Sequence, residues 1–347
     1  MAIAYGTQTS LVLFTESTYG TAGTSGIKQP FVSESLKVSQ QSLDSNTISS
    51  SRERLKPALS NINVSGSIAT ELATEGSMFL LYAALGSYTG SGATAPYTHT
   101  FKTGSTNHPS FTAEMNYGDN APATAQYSKF TGCKINNMNL QVPNSGFVTV
   151  SYDVIGQTAD ISATALDSAP FNVSGFTPFS SYHCLIQIDN TSSSNIESLS
   201  VSLSNALDES MYTIKADGKR SDLPAGFQTV TGQLSAIFDD SIDNASTATL
   251  LTKAETNAKV SIKIIFAKTL HSASSDGTLG KEKLTIEIPN ALLERTSPEV
   301  AGPGGIKVAF SFKAYIADST ENSMVITMLS PTAPLANATG AITIPAT

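Results

Sequence analysis

The sequence predicts a mainly β chain organised as two tandem β-rich domains, each flanked by one helix. Apolar residues alternate with small polar ones along most of the chain. Helical spacing is confined to two segments, and the order of elements in the first half recurs in the second. A length of 347 residues is itself about two domains' worth of chain.

The strands come first. In 61–68 the apolar side is Ile62, Val64 and Ile68; in 147–154 it is Val148, Val150, Tyr152 and Val154. Segments 259–266 and 283–288 follow the same rule, so all four read as half-buried strands. The stronger helix candidate is 73–86, with Thr74 as N-cap and Gly86 as its stop; the weaker is 246–255. Each sits at the same place in a repeat. Residues 34–38 (Glu-Ser-Leu-Lys-Val) match 197–201 (Glu-Ser-Leu-Ser-Val), and Leu43-Asp44 matches Leu207-Asp208. A loop with basic residues follows in both copies, then Val64-Ser-Gly-Ser-Ile68 against Val230-Thr-Gly-Gln-Leu234, then the helix and a final strand pair, 133–155 or 283–316.

The expected organisation is an N-terminal arm 1–29, a first domain 30–160, a linker 161–174, a second domain 175–332 and a C-terminal arm 333–347. The arms are rich in Gly, Thr, Ala and Pro, and segment 86–96 reads as a flexible loop.

Composition narrows function. Charged residues are 14% of the chain and the net charge is −8, which excludes the basic groove of a protein that grips nucleic acid. A hydrophobic content of 40% supports a packed core. No apolar run approaches the roughly 18 residues of a membrane helix, and the first residues do not read as an export signal. Cys133 and Cys184 read as two reduced thiols.

Motifs for chemistry are missing. The chain has no Gly-x-Ser-x-Gly, His-Glu-x-x-His, Cys-x-x-Cys or phosphate-cradling loop, and 301–306 reads as a tight turn. His99, His108, His183 and His271 are not at metal-ligand spacing; His183 and Cys184 would point to opposite faces of a strand. The acids Asp239, Asp240 and Asp243 read as a solvated loop before the second helix. No enzyme, cofactor or metal site is therefore expected. The polar strand faces are more informative. Asn63, Ser65 and Ser67 share one, Thr149, Ser151 and Asp153 another, and Ser200, Ser202 and Ser204 a third. Ordinary solvent faces carry more Lys and Glu, so these read either as a Ser/Thr-rich exposed sheet or as a wall along which something slides.

One series of residues resembles a known family. Glu16-Ser-Thr-Tyr-Gly-Thr-Ala22 leads to 34–36, Arg52-Glu53-Arg54 and 64–72. The short helix ending at Gly86 follows, then Tyr97-Thr-His-Thr-Phe101, 109–114 and Phe130-Thr-Gly-Cys-Lys134. This succession is similar to the tail tube proteins (major tail proteins) of long-tailed bacteriophages, in detail over about the first 160 residues. The resemblance implies a β-sandwich with one flanking helix in each domain, with inner sheets joining around a ring into a β-barrel. Rings stack into a hollow tube that conducts DNA at ejection. The implied partners are further copies of the chain and other tail proteins at the tube ends, with DNA passing without specific binding and no membrane anchor. The implied location is the virion, assembled in the host bacterial cytoplasm. The tube of a contractile tail or injection machine shares this fold; a β-sandwich adhesin is the alternative of a different class.

Strand phase then nominates residues. Lys37, Ser39, Asn63, Ser65, Ser67, Thr149, Ser151 and Asp153, with Thr285, Glu287 and Lys307 in the second copy, are expected to face the channel. They alternate with the apolar Val38, Ile62, Val64, Val150, Ile286 and Val308. The basic loops 49–61 and 215–227, with Arg52, Glu53, Arg54, Lys56, Lys219 and Arg220, are expected to pack on a neighbouring subunit or ring, against acids such as Asp239, Asp240 or Glu299. Six tube domains close a ring in this family, so two per chain imply a trimer.

Overall fold

The computed structural model describes residues 3–173, 175–215, 217–239, 247–268, 282–300 and 302–333. His271, Asp240, Asp243, the first residue of the weaker helix candidate and nearly all of the C-terminal arm lie outside the described residues.

The first half contains β1 (Ser10–Thr15), β2 (Gly26–Gln29), β3 (Ser33–Glu34), β4 (Lys37–Leu43), β5 (Ala58–Glu71), α1 (Met78–Leu85), β6 (Ser87–Ser91), β7 (Tyr97–Lys102), β8 (Phe111–Asn116), β9 (Tyr127–Val142), β10 (Thr149–Gly156), β11 (Thr158–Ser162) and β12 (Phe171–Asn172). The second contains β13 (Cys184–Ile188), β14 (Thr191–Ser192), β15 (Ile196–Ser204), β16 (Thr229–Ile237), α2 (Thr247–Glu255), β17 (Val260–Ala267), β18 (Lys283–Leu293), β19 (Lys307–Ala314) and β20 (Val325–Ser330).

The long strand β9 organises the first half. Its beginning pairs with β8 and β11, and its end pairs with β10. β10 continues to β5 and β5 to β4, while β8 continues to β1 and β1 to β2. The second half follows the same series of pairings. β18 pairs first with β17 and β20 and then with β19; β19 continues to β16, β16 to β15, β17 to β13 and β13 to β14. All these contacts are antiparallel, and among the described residues they do not close into a barrel. Strand pairing also joins the two halves at two places among the described residues. The end of β9 pairs with β15 over Leu199↔Val142 to Ser204↔Asn137, and β20 pairs with β7.

Burial follows the alternation. Val64, Ile68, Val150, Tyr152 and Val154 point inward with Val201, Leu203, Val230, Leu234, Phe310 and Phe312 into one core that runs through both halves. Each helix packs on this core. α1 is buried on every side, between β9 and β7, which explains its uniformly apolar sequence. Gly86 ends it at φ 86°, as its sequence predicts. The N-terminal expectation is corrected. The helix begins after Ser77, and the Thr74 hydroxyl instead donates to Glu282 across the core at 2.8 Å.

Three other expectations change. The N-terminal arm contains β1, whose Leu11, Val12, Leu13 and Phe14 are buried, with β2 beside it. Its fixed point is Glu16, whose carboxylate accepts bonds from Gly20 N–H, Gly132 N–H, Ser110 and Thr112 at 2.6–2.9 Å. The linker is also ordered against the first half. β12 adds to β2 in parallel, and Asp167 accepts from Gly26 N–H at 2.9 Å. Segment 86–96 is mostly the hairpin of β6 and β7.

Burial, complete or partial, shifts three titratable groups of the fold. The Cys133 thiol is shifted far up by burial, and Cys184 is pushed up to about 12 for the same reason; the two are not bonded to each other. His108 Nε2 contacts the Ile135 carbonyl oxygen at 3.0 Å. Burial, with the nearby Lys134 charge second, lowers the His108 pKa from 6.5 to about 4. The unfolded chain therefore takes up this proton first, and stability is lost as pH falls from about 6.5 towards 4. The expected loss is up to about 3 kcal/mol. Urea titrations at pH 7 and pH 4.5 should show it, and His108→Phe should flatten the difference.

Candidate functional site

One sheet runs without interruption through both halves in the order β4, β5, β10, β9, β15, β16, β19. Because side chains alternate, a single face of it gathers every second residue. The register places Lys37 opposite Ser65 and Ser39 opposite Asn63. It places Asp153 between Ser67 and Asn137, and Thr149 between Glu71 and Gln141. Ser202 lies between Asn139 and Thr231, and Lys307 opposite Ile237. Nine predicted residues, Lys37, Ser39, Asn63, Ser65, Ser67, Thr149, Ser151, Asp153 and Lys307, therefore share one face. Their apolar neighbours in sequence lie on the other. Val38, expected in the core, is 49% exposed because β4 is the edge strand.

Thr285 and Glu287 do not belong to this face. They sit in the first part of β18, where they pair with Ile265 and Lys263 of β17 and with Thr327 and Val325 of β20, in the other layer. β18 enters the continuous sheet only at Ala291–Leu293. The second half instead supplies Thr229, Thr231, Gln233, Ser311 and Lys313, and β9 supplies Asn137, Asn139 and Gln141. Sequence phase alone could have found these once the strands were placed.

The face is nearly neutral and carries hydroxyl and amide groups. By register its charged residues are Lys37, Lys134, Lys307 and Lys313 with Glu71 and Asp153, and Lys134 and Lys307 are paired with Asp222 and Glu197. Internal bonds bind part of it. Ser202 Oγ donates to Asn139 Oδ1 at 2.6 Å, Asn137 Nδ2 donates to Asp153 Oδ2 at 3.1 Å, and Lys307 pairs with Glu197 at 2.8 Å. Short side chains already engaged with one another present few free charges to a polyanion.

The loops carrying the other predicted residues behave differently from each other. The loop after β4 is exposed: Arg52, Glu53 and Lys56 face solvent, and Arg54 pairs with Asp44 at 2.5 Å. The loop after β15 folds back on the first half, which corrects the expectation for Arg220. Its side chain is 3% exposed. It donates to the Gly156 carbonyl at 2.8 Å, to Asn63 Oδ1 at 2.5 Å and to the Glu209 carbonyl at 3.0 Å. Its guanidinium also lies 5.1 Å from the centre of the Tyr212 ring and 3.9 Å from the Glu209 carboxylate. Leu207 and Leu223 pack there on Ile155. Lys134 Nζ bonds Asp222 at 3.0 Å and the Leu223 carbonyl at 2.9 Å. Partial burial pushes the Asp222 pKa up, but the Leu223 N–H and Lys134 outweigh it and hold the carboxyl below its usual range. Lys219 lies half-buried in the same loop, with its backbone N–H on Asp217. Asp239, expected to receive these bases, is bonded to Asn195 at 2.6 Å and to Thr247.

The two ends of the continuous sheet are open among the described residues. β4 pairs only with β5 and all seven of its residues are exposed. At the other end, 294–299 lies alongside β19 through the Glu294 N–H to Ser311 carbonyl bond (2.8 Å) and a Glu299–Lys307 bridge.

The phage tail tube protein family matches residues 6–314, from just before β1 to the end of β19. No curated protein matches the chain. With a match over most of its length and a mainly β architecture, the chain belongs to the phage tail tube protein family and is a structural component of the phage tail.

Proposed function

We propose that the chain carries two copies of the tube domain and assembles head to tail into closed rings. The rings stack into the hollow tube through which phage DNA is ejected, and the role is structural, without catalysis. The observation that carries this reading is the junction of β9 with β15. It joins the two halves through one continuous sheet, and the same sheet ends in two unmet edges, β4 and 294–299. By the repeated series of pairings, β4 corresponds to β15 and 294–299 to the end of β9. The open edges of successive chains are thus complementary in the way already realised inside one chain. Pairing them removes edges that are otherwise aggregation sites. It also turns the hydroxyl and amide face to one side of a closed wall.

Three chains then supply six domains, with half of the junctions within chains and half between them. Microscopy of assembled tubes tests this. Threefold rings with Ser65 and Ser151 on the channel wall are expected; sixfold rings with the second half projecting outward would overturn it.

Stacking has its own support. Ile48 is 96% exposed and Ile214 is fully exposed, each sixteen residues before its matching valine, Val64 or Val230. Two isoleucines on equivalent loops suit a repeated apolar contact along the tube axis. The double variant Ile48→Asp/Ile214→Asp should still form single rings but fail to lengthen, read as rings without tubes by negative-stain microscopy. Normal tubes would exclude this contact.

A further inference from the structure

The loop after β4 has a counterpart whose docking is already visible. Arg54 precedes Val64 by ten residues, as Arg220 precedes Val230. Asp44 follows the Leu43↔Ala58 pair, six residues before Val64. Glu209 follows Asp208, whose N–H bonds Pro224, six residues before Val230. The Arg54–Asp44 pair therefore occupies the place of Arg220–Glu209.

Their surroundings differ in one respect. Arg220 is buried on the first half of its own chain, whereas Arg54 is exposed, and so are the apolar residues around it. Val38, Leu43, Leu55 and Leu59 are 48–70% exposed, while Leu203, Leu207 and Leu223 of the second hairpin are buried. The first hairpin has the composition of a docked element and nothing described in the chain covers it.

We infer that Arg54 is a docking anchor that enters the second half of the next copy of the chain, donating to the Ala314 carbonyl and the Thr229 side chain. These positions follow from the register. Gly156 pairs with Val64, and Lys313 with Thr231, which sets Ala314 beside Val230 as Gly156 is beside Val64. Thr229 precedes Val230 as Asn63 precedes Val64. Besides Ala314 for Gly156 and Thr229 for Asn63, the receiving surface has Lys313 in place of the apolar Ile155 and Leu292 in place of Lys134. The inference rests on the head-to-tail reading above and specifies its side-chain lock.

Arg54→Ala tests it, because Arg54 is exposed in the single chain and its removal leaves the fold intact. Losing a charged group that is buried only in the assembly typically costs 2–5 kcal/mol. The protein concentration needed for tube formation should therefore rise at least about 25-fold. Arg52→Ala should leave it within about twofold. A photo-crosslinking benzoylphenylalanine at Leu55 should join another chain at 227–231 or 311–316. If wild type forms tubes and Arg54→Ala forms them at the same concentration, the anchor is wrong and the ring reading stands. Crosslinks to other segments overturn it equally. A wild-type chain that never assembles overturns both.

Discussion

Gly232→Ala is expected to destabilise the chain by about 3 kcal/mol or more, lowering its denaturation midpoint well below that of any surface variant. A Cβ at this position would lie 2.2 Å from the Ser200 carbonyl oxygen and 2.3 Å from the Phe312 ring. The ring could swing aside, but the oxygen belongs to β15, which is held by β16 on one side and β9 on the other. The strand must move, and with it the junction between the two halves. Gly66→Ala meets the same obstacle, the Ser35 carbonyl at 2.5 Å, but there the neighbouring strand is free on its far side and can yield. The expected order of damage is thus Gly232 above Gly66. Guanidinium titrations of both variants measure it, and a loss below about 1 kcal/mol at Gly232 would refute it.

Arg220→Ala should cost about 3 kcal/mol. The substitution strands the Gly156 carbonyl and Asn63 Oδ1, and takes a guanidinium from the Tyr212 ring. Arg220→Lys should not restore stability, because one ammonium cannot reach three acceptors held in a fork by separate segments. Thermal melts of the two variants beside wild type decide this. A lysine variant as stable as wild type would show that charge alone matters.

Alternation made the strands of the continuous sheet legible, and nine of the eleven residues expected to face the channel share one face of it. The same period of two hid an error. The match of 34–38 with 197–201 is two residues out of register with the pairing, since Gly66 lies against Ser35 and Gly232 against Ser200, not Ser198. A shift of two keeps every side chain on its own face, so no polarity pattern betrays it. Thr285 and Glu287 escaped for a related reason. β18 passes from one layer to the other partway along, and its alternation breaks only at Asn290 and Ala291, beyond both residues. β1 was missed because Leu11 to Phe14 form a continuous apolar run without alternation, flanked by Gly and Thr-rich chain. Arg220 was assigned to a neighbouring subunit because a long basic loop usually serves a contact outside its own domain; only the acceptors gathered around it, the Gly156 and Glu209 carbonyls and Asn63 Oδ1, show that it docks on its own chain.

The pairing of β20 with β7 joins residues more than 220 positions apart, Val325 to Lys102 and Ser330 to Tyr97. During synthesis, β20 leaves the ribosome after every other strand described. Until then, β7 and β18 each keep a bare edge, and the layer they share cannot be completed. Completion of this layer therefore waits for β20, however early the first half takes shape. A message cut short before codon 325 would yield a product with two adhesive strands exposed, bound for inclusion bodies.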